Sequence, residues 1–230
     1  MHPLDNVIWK ALTTRQAQFA ERHGQACRFI PEVAPLAAFL EPTARGYESL
    51  AGLVETGKTV ALSLDEPYEP RQGWKLVAAA LMPQMVHDGG PLRDVSSDAD
   101  VEIVELGAAD TSEMMALTAL TKPGPFNKRT YELGTYLGIR CEKKLIAMAG
   151  ERLKVPGYTE VSAVCTHPDH VGHGYAGLLM SKVMAGIYRR GEIPFLHVRG
   201  DNVRAIELYR RLGFERRILS HLAILRKVES

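Results

Sequence analysis

Val164-Cys165-Thr166-His167-Pro168-Asp169-His170-Val171-Gly172-His173-Gly174-Tyr175-Ala176-Gly177 carries the reading of this chain. Its first residues end an alternating strand pattern that begins near Glu160. Its last residues open an amphipathic helix, Gly174 to Arg190, in which Ala176, Leu179, Met180, Val183, Met184 and Ile187 recur at helical spacing. Between them lie two glycines that let the chain turn with positive φ and bring bare backbone close to a ligand. The helix start adds unsatisfied N–H groups and the positive end of a dipole, so the junction reads as an anion site. An ordinary strand-to-helix turn is the alternative.

Two phosphate-bearing ligand classes compete for such a junction. Gly172-x-Gly174-x-x-Gly177 matches the dinucleotide fingerprint literally. That fingerprint follows its strand directly, whereas here the six residues Thr166 to Val171 intervene. Only 58 residues remain after Gly172, too few for a doubly wound sheet, and the next strand ends in Val198-Arg199 without an acidic residue. A nucleotide P-loop fails because no Gly-Lys-Ser/Thr follows.

Outward from the junction, the pattern after residue 100 runs βααβββαβαβ. Strands are expected at 101–106, 135–141, 145–154, 160–166, 194–198 and 214–227. Helices are expected at 110–120, 129–133, 174–190 and 202–212, the last closed by Gly213. Before residue 88, helices are expected at 3–23 and 47–55, and strands at 59–64 and 74–86. Asp88 to Asp98 is rich in turn formers and reads as a linker. The expected organisation is an N-terminal α/β domain (1–95) and a second domain (96–230). Only a helix-helix-strand-strand order suggests that the first is a degenerate copy of the second.

Composition narrows the class. A 46% hydrophobic, 24% charged chain of 230 residues can bury a core. Cys27, Cys141 and Cys165 are scattered and unpaired in pattern, which argues for a reducing compartment and against a zinc ribbon. With no apolar run of membrane-spanning length and no leader pattern at Met1 to Lys10, a cytoplasmic protein without a membrane partner is expected. Net charge of +1 argues against nucleic acid. From Lys182 onward, however, eleven Lys/Arg face five Asp/Glu, a balance that suits a multiply phosphorylated ligand, with solvated helix faces as the plainer reading.

Strand, Thr166-His167-Pro168, glycine loop and helix together resemble the acetyl-CoA-binding core of the GCN5-related N-acetyltransferase (GNAT) superfamily, and within it the FR47-like branch. The branch pattern Arg/Gln-x-x-Gly-x-Gly/Ala is met by Val171-x-x-Gly174-x-Ala176, with Val171 departing from the usual first residue. Downstream, Asn202-x-x-Ala205-x-x-x-Tyr209-x-x-Leu212-Gly213-Phe214 is similar to the family's next helix and turn. The resemblance covers about residues 100–227. It implies an α/β (α+β) fold with a mixed, mostly antiparallel sheet flanked by helices. It also implies transfer of an acetyl group from acetyl-CoA to a primary amine by direct attack in a ternary complex.

By the same resemblance, Val164, Cys165 and Thr166 pair with the pantetheine arm. Val171, Gly172, His173, Gly174, Tyr175 and Ala176 hold the pyrophosphate, with His173 as a partial replacement for the missing cation. Asn202, Ala205 and Tyr209 line the cleft, with Tyr209 as the general acid. Glu160, eleven residues before Val171, is the candidate base, and a water chain is the alternative. Plainer readings stand beside these: Asn202 as a helix cap, Tyr209 as core, and Glu160 as a solvent-facing strand end. His167-x-x-His170-x-x-His173 lacks the partners of a zinc site, so no metal is expected. Cys165 reads as a buried thiol rather than a nucleophile. Other functions to be weighed are a non-catalytic CoA-binding sensor and an NAD(P)-dependent oxidoreductase. A homodimer is compatible with the sequence, and the acceptor is not readable from it.

Overall fold

The computed structural model of the chain describes residues 2–91 and 101–229, so positions 92–98 of the expected linker lie outside the described residues. In chain order the elements are α1 (Val7–Thr13), β1 (Ala20–His23), β2 (Ala26–Phe29), β3 (Ala37–Phe39), α2 (Ala44–Ala51), β4 (Thr59–Leu64) and β5 (Trp74–His87). There follow β6 (Ile103–Leu106), α3 (Thr111–Thr121), β7 (Tyr136–Cys141), β8 (Lys144–Val155) and β9 (Tyr158–Thr166). The chain closes with α4 (Tyr175–Arg189), β10 (Ile193–His197), α5 (Val203–Arg211) and β11 (Phe214–Lys227). Residues 130–133, expected as α-helix, form a 3-10 turn.

Eight strands make one sheet in the order β4-β11-β5-β10-β9-β8-β7-β6. Every neighbouring pair is antiparallel except β9 with β10. This is the mixed, mostly antiparallel sheet that the sequence implied. Alternation along β8 explains how both faces are covered. Ala147 and Ala149 join the cluster built on Leu179, Met180, Val183, Met184 and Ile187 of α4. Met148, between them, joins Met114 and Leu117 of α3 on the opposite face. Those five α4 residues are 0–2% exposed, each worth about 1.5–3 kcal/mol of burial.

The first half of the chain departs most from expectation. The helix expected over 3–23 spans only Val7–Thr13. Thr13 and Thr14 turn their hydroxyls back onto the carbonyls of Trp9 and Lys10, a local competition that disfavours continuing the helix. The chain then forms the hairpin β1–β2 around Gly24, whose φ is +53°, and β3 completes a separate three-stranded sheet. These strands are three or four residues long and carry too little alternation to be read beforehand.

The expected division near residue 95 is not a division of the sheet. β5 lies between β10 and β11, and β4 lies beyond β11. Nor is the core divided there: Leu4, Val7, Ile8 and Phe29 pack in one cluster with Leu133, Leu153, Val155 and Phe195. Gln16, 2% exposed, donates to the carbonyl of Arg152 and accepts from the N–H of Lys154. It thereby satisfies backbone groups at a register shift of β8.

Gly150 shows how tightly β7 meets β8. A Cβ added there would overlap the ring of the fully buried Tyr136. Gly150→Ala is therefore expected to destabilise the fold by about 1–3 kcal/mol, read as a lower denaturant midpoint at unchanged slope.

Candidate active site

The site begins where two strands part. β9 and β10 pair only through Tyr158–Ile193, Thr159–Pro194 and Glu160–Phe195. Beyond Glu160 the edge of β9 that faced β10 carries no strand partner among the described residues. On its other side β9 is irregular: Met148 pairs with Cys165 and Gly150 with Ser162, so Ala163 and Val164 together oppose Ala149. Ala163 accommodates this bulge at φ +53°, a left-handed conformation that disfavours larger side chains. The sequence offered no signal for it, because alanine is neither a glycine nor an asparagine.

From Thr166 the backbone passes through a one-turn 3-10 helix at Pro168–His170 into the glycine loop. Residues 171–174 are all exposed. Gly172 and Gly174 have φ of +95° and +77°. A Cβ at Gly172 would meet nothing within 4 Å, so this glycine answers to backbone conformation and leaves open space in front of it. Gly174 is the N-cap of α4 and supplies no side-chain cap, so the first-turn N–H groups lack the partner that a capping side chain would give. His173 stacks on Tyr175 at 5.5 Å between ring centroids, while Val171, 46% exposed, contributes no charge. An open strand edge leading into an uncapped helix start fits an extended ligand with amide groups at one end and phosphates at the other.

On the facing side, α5 starts at Asn202, whose side-chain oxygen accepts from the N–H of Ala205 at 3.2 Å. Asn202 is thus a helix cap. Tyr209, two turns on, is 9% exposed and packs edge-on to Phe214 at 6.3 Å. Burial, and secondarily the neighbouring Cys165, pushes its hydroxyl up to about 12. Cys165 is also buried, and burial pushes its thiol up to about 11. A thiol so disfavoured as thiolate is an inert wall. Among the described residues no three His, Cys, Asp or Glu side chains are grouped to hold a metal ion.

Glu160 does not suit the role of a free base. It is neither exposed nor unengaged. Arg152 grips it with two bonds of 2.7 and 2.8 Å, the Nδ1 of His197 lies 2.7 Å away, and the N–H of Leu153 donates at 3.3 Å. Burial by itself would raise its carboxyl, but the Arg152 guanidinium and the His197 bond outweigh that and hold it well below the usual carboxylate range. A carboxylate so stabilised as an anion has little drive to take a proton. The sequence could place Glu160 at the head of β9 but not show Arg152 across from it. His197, absent from the sequence reading altogether, left only one trace, a histidine ending an apolar strand.

An FR47-like family model matches residues 136–222. Over 135 residues the chain is 33% identical to the N-alpha-acetyltransferase RimI of Mycobacterium tuberculosis, a match that takes in 51% of this chain and 82% of that protein. The solved structure of a GNAT-family protein from Novosphingobium aromaticivorans is 36% identical and superposes with a TM-score of 0.90 over 100% of both chains. A GCN5-related N-acetyltransferase from Kribbella flavida, 18% identical, shares the fold with a TM-score of 0.64 over 96% of each chain. Fold and relatives together define an acyl-CoA-dependent N-acetyltransferase. The chain belongs to the GCN5-related N-acetyltransferase superfamily, in its FR47-like branch.

The buried Arg152–Glu160 pair has a pH signature. Because the folded-state carboxyl is depressed, its contribution to stability is fully present above the ordinary carboxylate range and is lost as the pH falls below it. Glu160→Gln strands the buried Arg152 charge and is expected to cost about 3–5 kcal/mol at pH 7. Denaturant unfolding of both proteins from pH 7 to pH 3 should show that difference shrinking with acid.

Proposed function

We propose that this enzyme transfers the acetyl group of acetyl-CoA to a primary amine by direct attack within a ternary complex. The observation that carries the reading is the edge of β9 left without a strand partner beyond Glu160 among the described residues, followed along the chain by a helix start with no side-chain cap. Along it, Val164, Cys165 and Thr166 would pair with the amide groups of the pantetheine arm. The N–H groups of the loop from Val171 to Ala176 would take the pyrophosphate, with His173 contributing polarity where Val171 cannot. A main-chain N–H near the Ala163 bulge is positioned by the strand rather than by a side chain, as stabilisation of a developing oxyanion requires.

The chemistry forms a C–N bond to the amine and breaks the C–S bond of the thioester. The amine must arrive neutral and shed one proton as it becomes an amide. Since the carboxylate of Glu160 is saturated with donors, that proton is better carried off by water. The leaving thiolate needs a hydrogen bond, and Tyr209 is the candidate donor. With its hydroxyl pushed up to about 12, Tyr209 stays protonated throughout the working range. Its role is hydrogen-bond donation to sulfur rather than full proton transfer.

For the acceptor, the likeness to an N-alpha-acetyltransferase makes a peptide α-amine the first class to test. The first half of the chain supplies one wall of the acceptor cleft. The segment following α3 is tied to it by Asn127 donating to the carbonyl of Pro31 and Thr130 donating to that of Val33. Phe126 is held over the sheet against Tyr136.

Free-thiol release from acetyl-CoA, followed across a panel of peptides and small amines, tests this reading, and calorimetry tests cofactor binding. Failure to bind either acetyl-CoA or CoA would overturn it. Tyr209→Phe is expected to bind acetyl-CoA normally and to lose about 10²-fold in kcat; unchanged turnover would remove Tyr209 as the donor.

A further inference from the structure

A row of hydrogen-bonded polar side chains, buried at Glu160 and Gln84 and opening toward solvent at Asp5, crosses the sheet at the point where β9 and β10 part. Starting from β8, Arg152 grips Glu160 of β9, and Glu160 meets His197 of β10 at 2.7 Å. The other ring nitrogen of His197, Nε2, lies 3.1 Å from Nε2 of Gln84 on β5, its partner in the strand register. Gln84 in turn accepts from Nε of Arg217 on β11 at 2.5 Å, and Arg217 donates to Asp5 at 2.8 Å, just ahead of α1. The side chains of Glu160 and His197 are 0% and 8% exposed, and that of Arg217 is 18%.

Hydrogen-bond chemistry makes this row directional. The Nε of Arg217 can only donate, so the Gln84 atom facing it is the amide oxygen. The Gln84 amide nitrogen then faces His197, and its placement is supported independently by the carbonyl of Leu4, which accepts from it at 3.2 Å. An amide nitrogen donates, so Nε2 of His197 accepts and carries no proton. The ring proton sits on Nδ1 and is donated to Glu160. Each partner thus dictates the next.

Position gives the row its use. The backbone ladder between β9 and β10 ends at Glu160–Phe195. The His197–Glu160 bond joins the two strands from that last pair, running from Glu160 to the β10 residue two beyond Phe195. Three residues further on β9 lies the Ala163 bulge, and six residues further on from His197 begins α5, which carries Tyr209. We propose that His197 is a positioning residue for acyl transfer: its Nδ1–H, oriented by Gln84 and Arg217, ties β10 to β9 at the root of the cleft and sets the distance between the β9 backbone and Tyr209. The inference rests on the acetyl-transfer reading above. Reacting groups displaced by about 1 Å lose on the order of 10²-fold in rate, which makes such a tie consequential.

The test uses the full chain. His197→Ala is expected to lower kcat by about 10²-fold, with the dissociation constant for acetyl-CoA changed less than about threefold. His197→Asn restores an N–H donor close to the Nδ1 position and should recover kcat to within about tenfold of the wild type. A histidine acting as the base would not be rescued by asparagine. If His197→Asn is folded yet as slow as His197→Ala, the proposal is overturned. Independently of any turnover, the ring ¹⁵N shifts of His197 in the wild-type protein should show the proton on Nδ1; a proton on Nε2 overturns it as well. Should the wild type bind acetyl-CoA but acetylate no amine, the acceptor reading fails, and the ring tautomer still decides the orientation of the row.

Discussion

Backbone N–H and C=O groups need partners, and the structure turns on one place where a strand stops supplying them. After three paired residues β10 diverges from β9, leaving one edge of β9 open from Val161 onward. Such an edge inside a protein is costly unless something pairs with it. Here the edge runs into a helix start that is also uncapped. The two deficits follow one another along the chain, and under the proposed function an extended thioester cofactor with an amide-bearing arm and a pyrophosphate would answer both.

Holding those strands at a fixed separation requires as much construction as pairing them. On one face, α4 wedges its apolar stripe beneath the cleft. On the other, the Arg152–Glu160–His197–Gln84–Arg217 row spans five strands. A buried ion pair contributes little net stability against an apolar replacement, but it tolerates only a narrow range of geometries. That trade suits a site where strand separation matters more than cohesion. It also explains why the most strongly held carboxylate near the site is unsuited to proton transfer.

The first ninety residues are part of this construction. By inserting β5 between β10 and β11, the chain extends the sheet of the acyltransfer core with its own N-terminal strands. Asp5 and Leu4 end the polar row, and Gln16 closes the β8 irregularity. Segments distant in sequence thus meet the residues that shape the cleft.

How much of this could be read beforehand follows from the range of the interactions involved. The α4 stripe, the glycine turn and the α5 cap at Asn202 depend on neighbours within a few residues, and periodicity and turn chemistry expose them. The junction at Thr166 to Ala176 was therefore visible, as was the strand and helix order around it. The short hairpin β1–β2 was not, because four-residue strands are defined by their partners rather than by their own pattern. Sequence could identify Glu160 as a carboxylate at a strand head, but its role depends on Arg152, His197 and the absence of solvent. These are contacts across strands, and no local pattern encodes them. The sequence by itself determined a glycine-containing strand-to-helix turn and the family to which the chain belongs. Only the tertiary structure decided which side chains are free to act in the cleft, because burial and cross-strand pairing, not residue type, set the acidity and reach of each group.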